Sequence, residues 1–188
     1  MTAVPEASST AAAGGAADVI ALTGATAEIA ARGLAVALAS VAELAFAGSP
    51  WHETPAEAGQ MIDRMLGDAS LSGFALAIAF AGHGSSMAGF GYGLNRANPH
   101  GTARPSSTGA GVFEFCELAV RPACCGRGVG RALHDAVLQA SGPRLRWLTT
   151  HPAARPAVGL YRSRGWRTAQ LYPSNRDGAP RVLMTRPW

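Results

Sequence analysis

The chain has 188 residues, 48% of them hydrophobic and 15% charged, which suits one globular domain with a core that needs neither metals nor disulfides. Its net charge of +4 conceals a division: up to Val120 four arginines face ten acidic residues (net −6), and from Arg121 onward twelve face two (net +10). The three cysteines, Cys116, Cys124 and Cys125, are odd in number and form no CxxC pair, so neither a disulfide framework nor a zinc site is supported, and a reducing cytoplasm is expected.

Residues 1–17 carry neither a basic start nor a continuous apolar run and are expected to be a disordered leader, with a single domain over 18–188. "DVIALTG" reads as a first strand. From about Thr26, the positions Leu34, Leu38, Val41 and Ala45 recur at helical spacing, so one helix with a buried face is expected as far as Ala47. Glu28, Arg32 and Glu43 interrupt this apolar stretch, which argues against a membrane span. Gly48, Ser49 and Pro50 end the helix and leave Trp51, His52 and Glu53 on a loop. "TPAE" then forms a capping box: Thr54 accepts from a first-turn N–H, Pro55 suits the first turn, and Glu57 reaches back. Ala58, Met61, Ile62 and Met65 mark the buried stripe of the helix that follows, ending near Gly67.

"FALAIAFA" and "MAGFGYGL" read as antiparallel strands joined through "GHGSS". Asn95 to Gly111, rich in Pro, Ser, Gly and Thr, is expected to be a mobile loop and a candidate lid. "VFEFCELAV" is an apolar strand with two carboxylates. After a glycine-rich turn, Val129, Leu133, Ala136, Val137 and Ala140 form a helical stripe stopped by Gly142 and Pro143. "RLRWLTTH" is another strand, Pro156 opens another helix that ends at Gly165, and "WRTAQLY" and "RVLMTRPW" are final strands around "SNRDG". The predicted fold is α/β: a mixed, mostly antiparallel central sheet of about seven strands flanked by about four helices.

In "CCGRGVGRAL" a strand empties into a glycine-rich turn and then a helix. Several backbone N–H groups stay unpaired there, and the positive helix end stands behind them, so the turn is a candidate anion site. Gly126, Gly128 and Gly130 let the backbone approach a phosphate closely, and Arg127 and Arg131 add positive charge. Glycines at such a turn also serve tight geometry alone, and the charge division also fits a compositional bias, since every basic residue is arginine. With no lysine in the chain the GxxxxGK[ST] pattern is absent, and GxGxxG followed by a well-placed acid is absent too. The basic residues are not interleaved with aromatics in a recognisable module, so nucleic acid is not an expected partner.

The stretch "ELAVRPACCGRGVGRAL" resembles the acetyl-coenzyme A motif of the GNAT superfamily of N-acyltransferases, where a strand ending in V-x-P precedes [RQ]-x-x-G-x-[GA] and a helix. "RPAVGLYRSRGW" is similar to that superfamily's later A-x-x-L-Y-x-x-x-G-[FW] segment, and the element order agrees from about Asp18 to Trp188. Cys125 stands where the superfamily usually has arginine or glutamine, and Ala154 where an asparagine often precedes the second motif; Arg127 or Arg131 is the candidate replacement for the phosphate contact.

The resemblance implies a GNAT-like fold that transfers an acetyl group from acetyl-coenzyme A to a primary amine, in a small molecule or a peptide, by direct attack in a ternary complex. No metal, nucleic acid or membrane is implied, and a homodimer is left open. It implies a donor site at Leu118, Ala119 and Val120, where the strand splays from "RLRWLTTH", and at Cys125, Gly126, Arg127, Gly128, Val129, Gly130 and Arg131, with His151 beside it. The Val120 N–H is the candidate for polarising the thioester carbonyl. Glu117 and Glu114 are the candidate bases, since a carboxylate in an apolar strand has a raised pKa; an odd separation puts them on opposite faces unless a bulge intervenes. Tyr161 matches the superfamily's tyrosine that protonates the departing thiolate, against the simpler reading of a core tyrosine. Trp51, His52 and Glu53 are candidate acceptor contacts, although a tryptophan after proline also serves as a packing anchor. His134 and Asp135 read as surface or packing residues, and no histidine pairs with Cys124 or Cys125 to make a thiol nucleophile. The alternatives are a non-catalytic acyl-coenzyme A sensor of the same fold and an interaction domain without a ligand.

Overall fold

A computed structural model describes residues 17–82, 86–96, 112–172 and 179–187. The expected leader, most of the Asn95–Gly111 loop, the middle of the "GHGSS" turn and the "SNRDG" turn lie outside the described residues. Seven strands, β1 (Asp18–Thr23), β2 (Ala75–Ala81), β3 (Ser86–Arg96), β4 (Val112–Val120), β5 (Arg146–Thr150), β6 (Arg167–Tyr172) and β7 (Arg181–Arg186), form one sheet in the order β1-β2-β3-β4-β5-β7-β6. Every neighbouring pair is antiparallel except β4 and β5, which run parallel. Asn95 and Arg96, expected in the loop, continue β3.

Among the described residues five α-helices cover the two faces: α1 (Gly24–Gly33), α2 (Ala35–Phe46) and α3 (Pro55–Asp68) on one, α4 (Val129–Ala140) and α5 (Arg155–Ser163) on the other. The single helix expected between Thr26 and Ala47 is thus two, bent by 75°. Gly33 weakens the helix there, and Leu34 leaves helical geometry at φ −109° and ψ 11°. The bend lets both arms bury their apolar sides: Ala27 and Ala31 on α1, and Leu38, Val41, Ala42 and Phe46 on α2, are buried. Among the described residues no single helix is long and apolar enough to cross a membrane.

The capping box forms as expected: the Glu57 N–H donates to Thr54 Oγ1 at 3.3 Å and the Thr54 N–H to Glu57 Oε2 at 2.7 Å. Ala58, Met61, Ile62 and Met65 are buried against Phe74, Leu76, Ile78, Phe90 and Leu94. On the opposite face small side chains at Ala75, Ala77, Ala79 and Ala88 make room for α4, which buries Val129, Leu133, His134, Val137 and Leu138. Ala136 and Ala140, expected in that stripe, are half-buried. His134 takes a core position because both ring nitrogens find partners: Nδ1 lies 2.8 Å from Asp135 Oδ1, and the Trp166 indole N–H donates to Nε2 at 2.9 Å.

Candidate functional site

Two features converge at the C-terminal end of β4. The first is a gap in the sheet. β4 and β5 pair only at Phe113 with Arg146 and Glu114 with Trp147, and beyond that rung they diverge. The Arg121 N–H donates to Ala88 O on β3 at 2.8 Å. Because N–H directions alternate along a strand, those of Leu118 and Val120 point away from β3 and into the gap.

The second feature is the turn that follows. Arg121 is anchored by its Nε to Met87 O at 2.8 Å, and Pro122–Cys124 form one 3₁₀ turn. Gly126 at φ +75° and Gly128 at φ +83° lie in the left-handed region, where a side chain is strained; a Cβ on either meets nothing within 4 Å, so the space over the turn is open. Gly130 sits inside α4 and faces ordinary contacts, with Val120 Cγ2 at 3.6 Å and Leu160 Cδ2 at 3.8 Å. Among the described residues no main-chain acceptor takes the N–H of Gly126, Arg127, Gly128, Val129, Gly130 or Arg131. Those donors and the positive end of a twelve-residue helix face one open space, which is the physical requirement for holding an anion.

A cleft of about 540 Å³ occupies that space. Of the expected site residues, Leu118, Val120, Cys125, Gly126, Gly128, Gly130, Arg131 and Trp51 line it. Ala119 and Val129 are buried behind the wall, and Arg127 is exposed on the turn. His151 meets Trp51 edge-on at 5.8 Å. Trp51 also packs edge-on against Phe46 at 5.7 Å and lies under the Arg181 guanidinium at 5.4 Å, so it is both a packing anchor and a wall. His52 is exposed at φ +51°, an uncommon backbone state for a non-glycine residue, and Glu53 beside it is half-buried. Sequence reasoning missed Ala45 and Phe46 at the end of α2, and Pro156, Ala157, Gly159, Leu160 and Ser163 along α5. The spacing of those α5 residues marks one helix face, and Gly159 within it was the available signal for a surface kept clear of side chains.

The three residues expected to carry the chemistry lie around the cleft and not in its lining. β4 carries an extra residue: Glu117 pairs with Tyr92 and Phe115 with Gly93, so Cys116 has no partner on β3. This bulge reverses the alternation. Cys116 and Ala119 both pack toward α1–α3, while Phe115, Leu118 and Val120 pack toward α4 and α5. Glu114 and Glu117 therefore share the α1–α3 face, the side that also holds Trp51.

Their surroundings differ. Glu114 receives the Arg96 Nε at 2.7 Å, and Arg96 also binds Asp68 at 2.6 Å. Burial pushes the Glu114 carboxyl up to about 7, with Arg96 opposing and Asp68 adding to the rise. Glu117 is half-buried, and among the described residues its carboxylate makes no hydrogen bond or ion pair. Burial pushes it, too, up to about 7; Glu53 and Glu114 add to the rise, and Arg64 and Arg181 oppose it. Tyr161 is buried among Phe115, His134 and Trp166, with ring centroids 6.0–6.1 Å apart. Burial first, and the Glu117 charge second, push its phenol above the usual tyrosine range, so it keeps its proton. Burial also raises the thiols of Cys116 and Cys125, which leaves neither as a ready thiolate. Among the described residues no group of His, Cys, Asp and Glu is placed to hold a metal ion.

A model of the acetyltransferase (GNAT) family matches residues 38–166. Comparison with curated protein sequences finds no match. Among solved structures, the chain is similar to PH1933 from Pyrococcus horikoshii OT3, at 18% identity and TM-score 0.63 over 91% of this chain and 99% of that one. It is also similar to the histone acetyltransferase HPA2 and related acetyltransferase from Corynebacterium glutamicum, at 20% identity and TM-score 0.64 over 91% and 96% of the two chains. A third is yncA from Salmonella typhimurium with its cofactor acetyl-CoA, at 13% identity and TM-score 0.65 over 92% and 94%. At these identities the likeness is one of fold, and the sheet order and helix placement above are that fold.

Proposed function

The chain belongs to the acetyltransferase (GNAT) family, and from that premise we propose that it moves an acetyl group from acetyl-coenzyme A to a primary amine by direct attack in a ternary complex. One observation carries the reading. A gap lined by the inward-pointing N–H groups of Leu118 and Val120 opens onto a turn whose own N–H groups are unpaired. A ligand that is long, amide-bearing and anionic at one end matches both parts.

The residues fit the donor as follows. The N–H groups of Gly126, Gly128 and Gly130, with Arg131 beside them, hold the diphosphate. The lips of the gap at Leu118 and Val120 hydrogen-bond the amide-bearing arm. Bound there, the donor supplies a thioester, whose carbonyl is open to a nucleophile. The Val120 N–H polarises that carbonyl oxygen. Glu117, with a carboxyl poised at about 7, takes the proton from the acceptor ammonium, directly or through water, so that the amine attacks neutral. Tyr161, held protonated by burial, gives its proton to the leaving sulfur and regains one from the nitrogen, which sheds its second proton as the amide forms. Trp51, His52 and Glu53 border the same face and are the acceptor contacts in this scheme. Arg131 stands in for the phosphate contact missing at Cys125.

Acetyl-coenzyme A incubated with a panel of primary amines and peptide N-termini is expected to release free coenzyme A in the presence of at least one of them. Stabilisation by acetyl-coenzyme A with no release across the panel instead identifies a non-catalytic binding module, and no stabilisation at all leaves an interaction domain. Tyr161→Phe is expected to lower kcat by about tenfold or more with little change in coenzyme A affinity. Turnover equal to that of the parent protein makes Tyr161 a packing residue of the Phe115, His134 and Trp166 cluster.

A further inference from the structure

A second concavity lies at the other ends of α4 and α5, and its charge is out of balance. It holds about 520 Å³ and is bordered by Arg146 at the start of β5, Arg186 at the end of β7, Arg164 just after α5, and Asp135 and Gln139 on α4. Arg146 and Arg186 are directly opposite each other in the antiparallel pairing of β5 with β7, a position where like charges repel. Arg146 is only 7% exposed. Its guanidinium donates to Gly142 O at 2.6 Å, Leu138 O at 3.2 Å and Ser141 Oγ at 3.4 Å, all of them neutral acceptors. Nε and Nη2 are thus engaged at the C-terminal end of α4, which offsets part of the charge, but no carboxylate pairs with it among the described residues, and burial together with Arg186 and Arg144 pulls it below the usual arginine value.

Among the described residues, Asp135 is the one carboxylate in the lining, and it is already committed. Arg164 Nη2 and the His134 ring both bind it. The Arg164 Nε is buried there without a partner. Among the described residues, three guanidinium groups against one carboxylate leave an excess of two positive charges around one space, contributed by β5, β7 and the end of α5. A tetrahedral dianion presents several charge-bearing oxygens to such a set of planar forks, which is the geometry guanidinium groups recognise best.

We propose that this concavity is a binding site for a phosphate dianion, inorganic or as a monoester, separate from the donor cleft. Occupancy neutralises the Arg146–Arg186 repulsion, so the site stabilises the fold when filled. Ser163 borders both concavities, so the test must separate this site from the donor's own phosphates.

The experiment is thermal melting and calorimetry of the full chain at low ionic strength. The probes are inorganic phosphate, phenyl phosphate and, at matched ionic strength, chloride, each with and without saturating coenzyme A. Inorganic phosphate is expected to raise Tm where chloride does not, and to do so equally with coenzyme A bound. Binding of phenyl phosphate as tight as that of phosphate supports a phosphorylated molecule as the source; its exclusion supports free phosphate. Replacing buried Arg146 endangers folding, so the variants are Arg186→Gln and Arg164→Gln. Each is expected to weaken phosphate binding by about tenfold. Arg186→Gln is also expected to raise Tm in phosphate-free buffer, because it removes the repulsion. The proposal is overturned by a phosphate shift that chloride reproduces, by unchanged binding in both variants, or by a shift that disappears when coenzyme A is bound.

Discussion

Glu117→Gln is expected to lower turnover at pH 7 by about 10²–10⁴-fold, the range a positioned general base contributes. The parent protein should gain activity as pH rises through about 7, since only the ionised carboxylate accepts the proton and burial holds its pKa there. The amide variant lacks that limb. At high pH the acceptor amine is already neutral, so the variant should recover toward the parent rate. This return separates loss of a base from loss of the fold. Glu114→Gln should do less to the pH profile, because Glu114 is already paired with Arg96, and through it with Asp68. A Glu117→Gln profile that keeps the low-pH limb, or a parent profile flat between pH 6 and 8, rejects the assignment.

Gly128→Asp is expected to weaken coenzyme A binding by about a hundredfold or more, read by calorimetry. Two effects add. The residue holds φ +83°, which costs a side chain about 1–2 kcal/mol. Its carboxylate would also stand over the unpaired N–H groups where the diphosphate is proposed to bind, repelling that anion and competing for its donors. Gly128 caps α4 in the left-handed region and not in the extended one that favours aspartate there, so the backbone cost should also show as a fall in Tm of a few degrees. Gly128→Ala carries the backbone cost without the charge and should lose much less affinity. Unchanged affinity in Gly128→Asp would remove the turn from the donor site.

Most of the fold was legible because local chemistry and burial agree. Thr54 and Glu57 fix the start of α3 within four residues, and Ala58, Met61, Ile62 and Met65 declare its buried side. The glycine turn was legible for the same reason, since Gly126 and Gly128 adopt backbone angles that few other residues tolerate. The break at Leu34 was not legible, because apolar spacing runs through it unchanged; packing of two arms on one sheet decides it, and Gly33 only permits it. The side on which Glu117 lies depends on a pairing with Tyr92 made 25 residues earlier in the chain, which no window of the strand's own residues contains. The burial of His134 likewise rests on Trp166, a partner 32 residues away. Cleft walls from α2 and α5 were missed because they chiefly offer apolar or small side chains, whose role is shape and not reactivity.

The short pairing that joins β4 to β5, two residues long, has a mechanical meaning. Four strands on one side and three on the other meet at Phe113 and Arg146, beside fully buried Phe113 and nearly fully buried Leu148, so that end of the seam is stiff. From Phe115 to Val120 the lip that β5 leaves unpaired extends for six residues, a lever of roughly 20 Å at strand rise. A rotation of about 5° at the stiff end then carries the far lip by roughly 2 Å, as much as separates a formed hydrogen bond from a broken one. The protein thus needs no large domain motion to widen or narrow its cleft, because a small change of twist within one sheet is enough.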